Sequence, residues 1–290
     1  MACFHPIVGW KDGNGGLTFV KTGRAMRVPC GQCIGCRLEY SRRWAMRCMH
    51  EASLHDENCF ITLTYSDEHL PRMGSLDRRA FPLFMKRLRK RTGEKIRYYH
   101  CGEYGERSRR PHYHALLFGY NFPDRKQWSL RKGIPVHRSG LLEELWPFGL
   151  SEIGTVTFES AAYCARYVVK KVTGEAAKDH YARVDSDTGE VIQIEPEYAT
   201  MSRRPGIGLC WLEEYGAETY RDDSVVINGR QMKPPRYYDE KMSETDAEVV
   251  ESVRRKRRHE RNLREGTKKR LETREKCATA RNGLHERRID

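Results

Sequence analysis

The pattern of apolar positions along the chain predicts a mixture of strands and helices. Four runs rich in β-branched and aromatic residues predict strands; they cover residues 58–65, 95–101, 112–119 and 154–158. Helical spacing predicts helices over 37–54 and 76–91, with Pro82 either in the first turn of the second helix or shortening it. Because these elements show no regular βαβ alternation, they favour an α+β fold over a doubly wound parallel sheet.

Two histidines, His112 and His114, lie two residues apart in the third predicted strand. A strand projects residues i and i+2 to one side, so both imidazoles share a face, and Tyr113 and Ala115 point the opposite way into a core. Neutral imidazole is a common metal ligand, so the pair can hold a metal ion. The alternative is two half-buried histidines that are hydrogen-bonded to their neighbours.

A predicted helix further along the chain, which Ser160 can cap, carries Tyr163 and Tyr167 one turn apart, followed by Lys170 and Lys171. Small apolar residues fall on its other side, at about 100° per residue; these are Ala161, Cys164, Ala165, Val168 and Val172. A tyrosine pair alone is more often packing than chemistry. Together with a metal-capable strand, two phenols and an ammonium on one face indicate a site that attacks a phosphodiester.

The ordered motifs of the chain resemble those of a known enzyme family. They are Cys30–Arg37 (CGQCIGCR), Phe60–Tyr65 (FITLTY), Gly102–Gly105 (GEYG), Pro111–His114 (PHYH) and Tyr163–Lys171 (YCARYVVKK). The last four, in this order, resemble the three motifs of HUH endonucleases, the rolling-circle replication initiators and relatives of relaxases. With the cysteine segment, the chain resembles the replication initiators of microvirus-type single-stranded DNA phages, especially the gokushovirus branch, over about residues 1–175.

The resemblance implies a central antiparallel sheet that carries the His-x-His strand in its middle, with the tyrosine helix alongside. It also implies metal-dependent nicking and joining of single-stranded origin DNA: a tyrosine attacks the scissile phosphate, leaving a 5′-phosphotyrosine and a free 3′-OH that primes synthesis. His112 and His114 would bind Mg²⁺ or Mn²⁺ together with Glu103, for which Glu106 is the fallback, and Mn²⁺ suits mixed nitrogen and oxygen ligation better.

The resemblance also assigns roles to the helix that follows. Tyr163 and Tyr167 would be the nucleophiles, and Lys170 or Lys171 would stabilise the phenolate or the phosphate charge. The second tyrosine would cut the regenerated origin while the first product is religated, with no ATP. Because the sequence has no Gly-x4-Gly-Lys-[Ser/Thr] phosphate loop, a helicase and a polymerase are expected from the host.

The charge of the chain favours a polyanionic partner such as nucleic acid. Lys and Arg number 53 against 40 Asp and Glu, a formal charge of +13 with a pI near 9.3. Arg109, Arg110, Arg203 and Arg204 are the predicted DNA contacts. No apolar run approaches the roughly 18–20 residues of a membrane span, and the first residues lack the zones of a secretory signal. We therefore expect a soluble protein in the cytoplasm of an infected bacterial host, with no membrane partner.

Ten cysteines in a chain of this length, with no signal, predict reduced thiols rather than a disulfide scaffold. Cys30, Cys33 and Cys36 form a C-x2-C-x2-C run, but the ferredoxin pattern would need a cysteine where Tyr40 stands. Structural zinc, with Cys3 or His5 as its fourth ligand, is one interpretation. The other is three unmetallated thiols that pack a tight glycine-rich loop.

Composition divides the chain into four predicted segments: 1–56 with the cysteine loop and a basic helix, 57–175 with the HUH endonuclease core, 176–240 as a polar accessory segment, and 241–290 as a basic helical or disordered tail. From Glu251 onward, 15 Lys and Arg stand against 7 Asp and Glu, a net charge of +8. Apolar residues are sparse there, so the segment is either a solubilising tail or a DNA-binding arm.

Three rival functions stay open at this stage. A relaxase or transposase of the same superfamily would use the same site on a different DNA sequence. A non-catalytic nucleic-acid-binding zinc protein would explain the charge and the cysteines but would leave the two tyrosines without a role. Simple metal-dependent hydrolysis would cut DNA without any covalent protein adduct.

Overall fold

A computed structural model of the chain describes residues 3–14, 16–23, 25–105, 108–172, 174–260 and 263–289, without the side chains of 167–170, 263–264 and 284–289. Two compact units divide the chain. The larger unit is Arg43–Thr245, and the smaller combines Met1–Arg42 with Asp246–Asp290. The four segments predicted from composition stay a prediction.

The strands, in chain order, are β1 (Ile7–Lys11), β2 (Leu17–Thr18), β3 (Ala25–Val28), β4 (Asn58–Thr64), β5 (Arg97–Tyr104), β6 (Pro111–Phe118), β7 (Lys126–Arg131), β8 (Ile134–Arg138), β9 (Ser151–Gly154), β10 (Ala182–Val184), β11 (Val191–Gln193), β12 (Tyr198–Met201), β13 (Val225–Ile227) and β14 (Arg230–Met232). The helices are α1 (Ile34–Ala52), α2 (Ala80–Thr92), α3 (Gly140–Leu145), α4 (Phe158–Lys170), α5 (Ala176–His180), α6 (Leu209–Asp222), α7 (Arg236–Thr245), α8 (Ala247–His259) and α9 (Lys268–Ile289). Short 3₁₀ helices lie at Arg72–Gly74 and Leu263–Gly266.

A seven-stranded sheet in the order β12-β5-β6-β4-β9-β8-β7 forms the centre of the larger unit. Every neighbouring pair in it is antiparallel. The His-x-His strand β6 lies between β5 and β4, the arrangement that the resemblance implies. The predicted α+β class with a central antiparallel sheet is therefore confirmed, and Pro82 lies in the first turn of α2.

Helices cover both faces of this sheet, and the two faces differ in what they pack. Ile61, Leu63, Tyr113 and Ala115 point toward α2 and α3, where they join a core that contains Phe81, Phe84, Leu88, Leu142 and Trp146. We call this the α2 face. On the other side, the α4 face, sheet residues pack with α4 and the second half of α1; they are Tyr99, Cys101, Leu116 and Phe118, against Ala161, Cys164, Ala165, Ala45 and Cys48.

The strand predicted over 154–158 is wrong, because the chain changes element there. β9 ends at Gly154, and Thr157 is the N-cap residue of α4. The Thr157 side chain accepts a hydrogen bond from the Ser160 amide at 3.1 Å, and the Ser160 hydroxyl accepts one from the Thr157 amide at 2.8 Å. This reciprocal capping box begins a helix rather than continuing a strand. Ser160 therefore takes part in the cap but is the third residue of the helix, not its cap residue.

The smaller unit joins the two ends of the chain. β2-β1-β3 form a three-stranded antiparallel sheet, followed by the start of α1. The predicted basic tail is helical, as α8 and α9, and it contacts the N-terminal part: the Glu275 carboxylate lies 2.7 Å from Nε2 of His5, and the Arg27 guanidinium donates to the Gly266 carbonyl at 3.1 Å. Among the described residues, none of the helices combines the length and apolarity that crossing a bilayer requires.

Candidate active site

His112 and His114 share the α4 face of β6, as the two-residue period of a strand predicts. Glu103 of β5 is the register partner of His112, so its carboxylate lies on the same face. The Nε2 atoms of His112 and His114 are 2.6 Å and 3.0 Å from Oε1 of Glu103. Tyr113 and Ala115 point to the α2 face and are fully buried, which confirms the predicted alternation. The three residues therefore form one compact cluster.

Each imidazole is oriented by a contact to its other nitrogen. His112 Nδ1 lies 3.1 Å from the Arg110 carbonyl oxygen, which accepts a hydrogen bond when Nδ1 carries the proton. His114 Nδ1 lies 3.0 Å from the Thr62 hydroxyl, and the Phe60 ring stacks on His114 with ring centroids 5.5 Å apart. Such contacts leave Nε2 of both rings directed at Glu103, the arrangement found around metal-binding histidines.

The cluster is buried, and its charges compensate one another. Burial opposes ionisation of Glu103, but the neighbouring His114 and His112 outweigh it and hold the pKa of the carboxyl below its usual value. Burial likewise lowers the pKa of His114. For His112 burial acts in the same direction, but the hydrogen bond to Glu103 outweighs it and raises the pKa. A glutamate that is 1% exposed is thus an anion at neutral pH.

The residues of this cluster fit a divalent cation. Two imidazole nitrogens and one carboxylate oxygen lie within 4.8 Å of one another, and ligands of an octahedral cation bound at about 2.1 Å lie roughly 3 Å apart. Oε2 of Glu103 is buried and, among the described residues, has no hydrogen-bond partner. A buried carboxylate oxygen without a donor costs free energy unless a further positive group reaches it. Mixed nitrogen and oxygen ligation suits Mn²⁺ as well as Mg²⁺.

Tyr163 brings a nucleophile to this cluster from a distant part of the chain. Its hydroxyl donates to Oε1 of Glu103 at 3.3 Å, and its ring meets the His114 ring edge to face, with centroids 5.0 Å apart. Ala161, Cys164 and Ala165 are fully buried on the opposite side of α4, as predicted. The small side chains seat the helix against the sheet, and the phenol reaches the metal-capable residues as a result.

Several predicted site residues lie elsewhere or outside the described part of the chain. The side chains of Tyr167 and Lys170 and the whole of Glu106 lie outside the described residues. Lys171 is the C-cap residue of α4 and is half-buried. Their predicted roles stay predictions.

The four arginines predicted to contact DNA lie in loops at strand ends. Arg110 forms an ion pair with Asp67 and donates to the Tyr65 carbonyl at 2.9 Å, so it is partly engaged within the fold. The exposed Arg109 lies next to Nε2 of His180, 3.5 Å away. Arg203 and Arg204 are exposed in the loop that follows β12. Three of the four guanidinium groups therefore face solvent.

Thr62 and Phe60 are site residues that the sequence reasoning missed. Their register places Thr62 directly opposite His114, on the strand that the first motif forms. The signal was present as a polar residue inside an otherwise apolar strand, FITLTY. Reading it requires the pairing of β4 with β6, which sequence spacing does not give.

Comparison with known proteins gives consistent matches. A family model for replication-associated proteins of the ORF2 type matches residues 58–172, the stretch that holds Glu103, His112, His114 and Tyr163. The chain is 35% identical over 274 residues to replication-associated protein VP4 of Bdellovibrio phage phiMH2K, covering 86% of this chain and 82% of that protein. It is 36% identical over 230 residues to replication-associated protein ORF2 of Spiroplasma virus 4, covering 74% and 67%. It is 30% identical over 246 residues to replication-associated protein ORF4 of Chlamydia phage 1, covering 79% and 58%. No solved structure matches the chain.

Proposed function

Because the chain belongs to the family of phage replication-associated proteins, we propose that it initiates rolling-circle replication by nicking and rejoining single-stranded origin DNA. The observation that carries this proposal is the contact between Tyr163 and Glu103. A phenolic hydroxyl lies 3.3 Å from a carboxylate that both histidines also contact. A nucleophile beside a metal-capable cluster is what covalent cleavage of a phosphodiester needs.

The described residues support a division of labour in this reaction. His112, His114 and Glu103 would hold the divalent cation, which, when bound, withdraws charge from the non-bridging phosphate oxygens and orients the phosphate. Thr62 and the Arg110 carbonyl fix the rings that face it. Glu103 accepts the hydrogen bond of Tyr163 and so directs the phenolic oxygen toward the same place.

In the proposed step, the phenolic oxygen of Tyr163 forms a bond to phosphorus and the bond from phosphorus to the 3′ oxygen breaks. The phenol loses its proton, and the departing 3′ oxygen gains one to become a free 3′-OH. The phosphate stays on the 5′ end of the downstream strand as a phosphotyrosine ester. Tyr167 would perform the second cut, and Lys170 or Lys171 would support the attacking phenolate.

The substrate and partners follow from the same proposal. Single-stranded origin DNA would be held through its phosphates by exposed basic residues, of which Arg109, Arg203 and Arg204 are candidates. A host helicase and polymerase would unwind and extend the nicked strand. The site of action would be the cytoplasm of an infected bacterial host.

The test is covalent capture. The purified chain is incubated with Mn²⁺ and single-stranded oligonucleotides that tile the replicon encoding it, each labelled at its 5′ or 3′ end, and the mixture is denatured. We expect the 3′ label to stay with the protein and the 5′-labelled fragment to leave with a 3′-OH that a polymerase extends. Cleavage without an adduct would indicate hydrolysis, and absence of cleavage on every oligonucleotide would refute the nickase proposal.

The cleaved sequence separates the remaining alternative. A relaxase or transposase would form the same adduct, but at a transfer origin or an element end rather than at the start of replication. Mapping the adduct to a single nucleotide, and comparing that nucleotide with the 5′ end of newly made DNA strands, distinguishes these outcomes.

A further inference from the structure

Four cysteine sulfurs converge in the smaller unit. Cys3 Sγ lies 3.6 Å from Cys30 Sγ and 3.9 Å from Cys33 Sγ, and Cys30 Sγ lies 4.0 Å from Cys36 Sγ. All four sulfurs lie within 4.8 Å of one another. The sequence motif supplies three of them, and the fold brings the fourth from the beginning of the chain.

These separations match those of a metal–thiolate centre. A tetrahedral zinc ion with bonds to sulfur of about 2.3 Å places its sulfurs about 3.8 Å apart. A disulfide would need a sulfur–sulfur distance of about 2.05 Å, so none of the pairs is one. Three thiols that simply pack a loop would not require Cys3, which is 1% exposed.

Backbone amides are directed at the same sulfurs. The amides of Cys30, Phe4 and Cys33 donate to the sulfurs of Cys3, Cys33 and Cys30 at 3.2 Å, 3.3 Å and 3.4 Å. Gly31 has a φ of +77°, the left-handed conformation that lets the chain turn between Cys30 and Cys33. Amide donors stabilise negative charge on sulfur, which a metal-bound thiolate carries.

The sheet next to the cluster supplies an independent argument. β1, β2 and β3 lie between Cys3 and Cys30, and this sheet buries little of its own apolar surface. Its exposed apolar side chains are Ile7, Val8, Leu17, Phe19, Val20 and Met26, between 37% and 70% exposed. A segment with so small a core ordinarily needs a cross-link or a metal to stay folded.

We propose that Cys3, Cys30, Cys33 and Cys36 bind one Zn²⁺ ion as four thiolates, in a closed structural site. The ion joins both ends of the β2-β1-β3 sheet to the first turn of α1. Each thiol that is protonated before binding releases one proton, and no sulfur is oxidised. His5 is not a ligand, because its ring instead contacts the Glu275 carboxylate. This proposal is independent of the proposed nickase function.

Zinc content is the first measurement. The full chain is purified under reducing conditions without chelator, in a His112→Ala/His114→Ala background that removes the other metal-capable cluster, and its zinc is measured by elemental analysis. We expect one zinc per chain. Cys33→Ser should lose it, whereas Cys210→Ser and Cys277→Ser, which alter exposed cysteines outside the cluster, should keep it. A wild-type chain that contains no zinc above buffer level after refolding with zinc would overturn the proposal.

Cobalt substitution reports the ligand set directly and does not depend on a variant that folds. Co²⁺ bound by four thiolates gives intense visible bands of a tetrahedral complex together with sulfur-to-metal charge transfer in the near ultraviolet. We expect both in the wild-type chain, and Cys33→His should keep the tetrahedral bands at shifted positions with weaker charge transfer. A pale octahedral spectrum in the wild-type chain would contradict four-thiolate binding.

Proteolysis tests the structural consequence. Treating the zinc-loaded chain with a strong chelator should open cleavage sites within residues 7–28 before any others, because the metal fixes the ends of that sheet. Equal protection of this segment with and without zinc would refute the structural role. The adduct assay serves as the separation from the nickase proposal: His112→Ala/His114→Ala should lose the adduct with the cobalt spectrum intact, and each result stands if the other fails.

Discussion

Glu103 and His112 lie directly opposite each other on adjacent antiparallel strands, and Nε2 of His112 is 2.6 Å from Oε1 of Glu103. Two residues further along β6, His114 reaches the same oxygen at 3.0 Å. A shift of one residue in the pairing of β5 with β6 would turn one set of side chains to the other face. The register of the central strands therefore determines the geometry of the candidate metal site.

Removal of a metal ligand should abolish cleavage and leave most DNA binding. We expect His112→Ala or His114→Ala to give no covalent adduct, because the phosphate is no longer oriented, while affinity for single-stranded DNA stays within a few-fold, since it comes chiefly from basic residues. Adduct gels and fluorescence anisotropy measure the two. His137→Ala, which removes an imidazole from β8 of the same sheet, is the control. Full cleavage by either variant, or cleavage undiminished in excess EDTA, would sink the metal mechanism.

Thr62 should act as a positioning residue for His114. Thr62→Val keeps the shape of the side chain but removes the hydroxyl 3.0 Å from Nδ1 of His114. Loss of such an orienting contact typically weakens metal affinity about 10–100-fold, so the Mn²⁺ concentration for half-maximal adduct formation should rise while saturating Mn²⁺ restores activity. Thr62→Ser should behave like the wild type. An unchanged Mn²⁺ requirement in Thr62→Val would assign Thr62 to packing alone.

The sequence predicts those parts of the site that depend on local periodicity. His112 and His114 share a face because a strand repeats every two residues, and Tyr163 points away from its buried neighbours because a helix repeats every 3.6. Contacts between distant segments are another matter. The approach of Cys3 to Cys30 and of Thr62 to His114 depends on chain reversal and register, which spacing alone leaves open. The strand predicted over 154–158 failed because a capping box overrides the β-propensity of that run.

His50 should make the stability of the larger unit depend on pH. Its ring stacks on Trp211, with centroids 3.5 Å apart, and its Nδ1 lies 2.8 Å from the Tyr238 hydroxyl. Burial lowers the pKa of His50 to about 3, whereas the unfolded chain has the ordinary value of about 6.5. The fold thus favours the neutral ring, so its contribution is complete above pH 6.5 and is lost as the pH falls. Between pH 6.5 and pH 5 the loss should be about 2 kcal/mol.

Urea denaturation at pH 7 and pH 5 measures this loss. His50→Phe keeps a ring for stacking but cannot titrate, so the free energy of unfolding should fall less between the two pH values than in the wild type, whatever its absolute value. His259→Gln, which replaces an exposed histidine, should show the wild-type difference. Equal pH differences in His50→Phe and the wild type would show that other groups account for the effect.

The basic tail should contribute to the salt dependence of DNA binding. Arg254, Arg255 and Lys256 are exposed on α8, whereas Val253 and Leu271 are buried, so replacing charges is gentler than deleting residues 251–290. If all three cations contact phosphates, changing them to Gln should flatten the slope of log affinity against log salt by about 2 for single-stranded DNA. The cleaved phosphate should not change.

A matched triple variant tests whether position matters. Lys86, Lys90 and Arg91 are exposed on α2, across the sheet from His112, and changing them to Gln removes the same charge. We expect a smaller change in slope than for the α8 variant. If the α8 variant leaves the slope unaltered, α8 is a solvated helix or a protein-binding arm.

The two tyrosines should be interchangeable for one cut but not for repeated turnover. Tyr163 contacts Glu103, and Tyr167 follows one turn later on α4. Phe at either position should leave measurable adduct on an origin oligonucleotide but prevent the second cut, because one phenol stays esterified to the DNA. The yield of released single-stranded circles from a replicating template measures turnover. Tyr215→Phe, which alters an exposed tyrosine of α6, is the control.

The double variant Tyr163→Phe/Tyr167→Phe should form no adduct at all, since Phe keeps the aromatic packing on His114 and removes only the attacking oxygen. A wild-type level of adduct in this variant would make the tyrosine face structural. The next candidates would then be Tyr104 and Tyr113, but their hydroxyls donate to the carbonyls of Glu195 and Asp77 at 2.6 Å and 2.9 Å and point away from Glu103. Attack by either would require the sheet to open, so we expect Tyr104→Phe and Tyr113→Phe to retain the adduct.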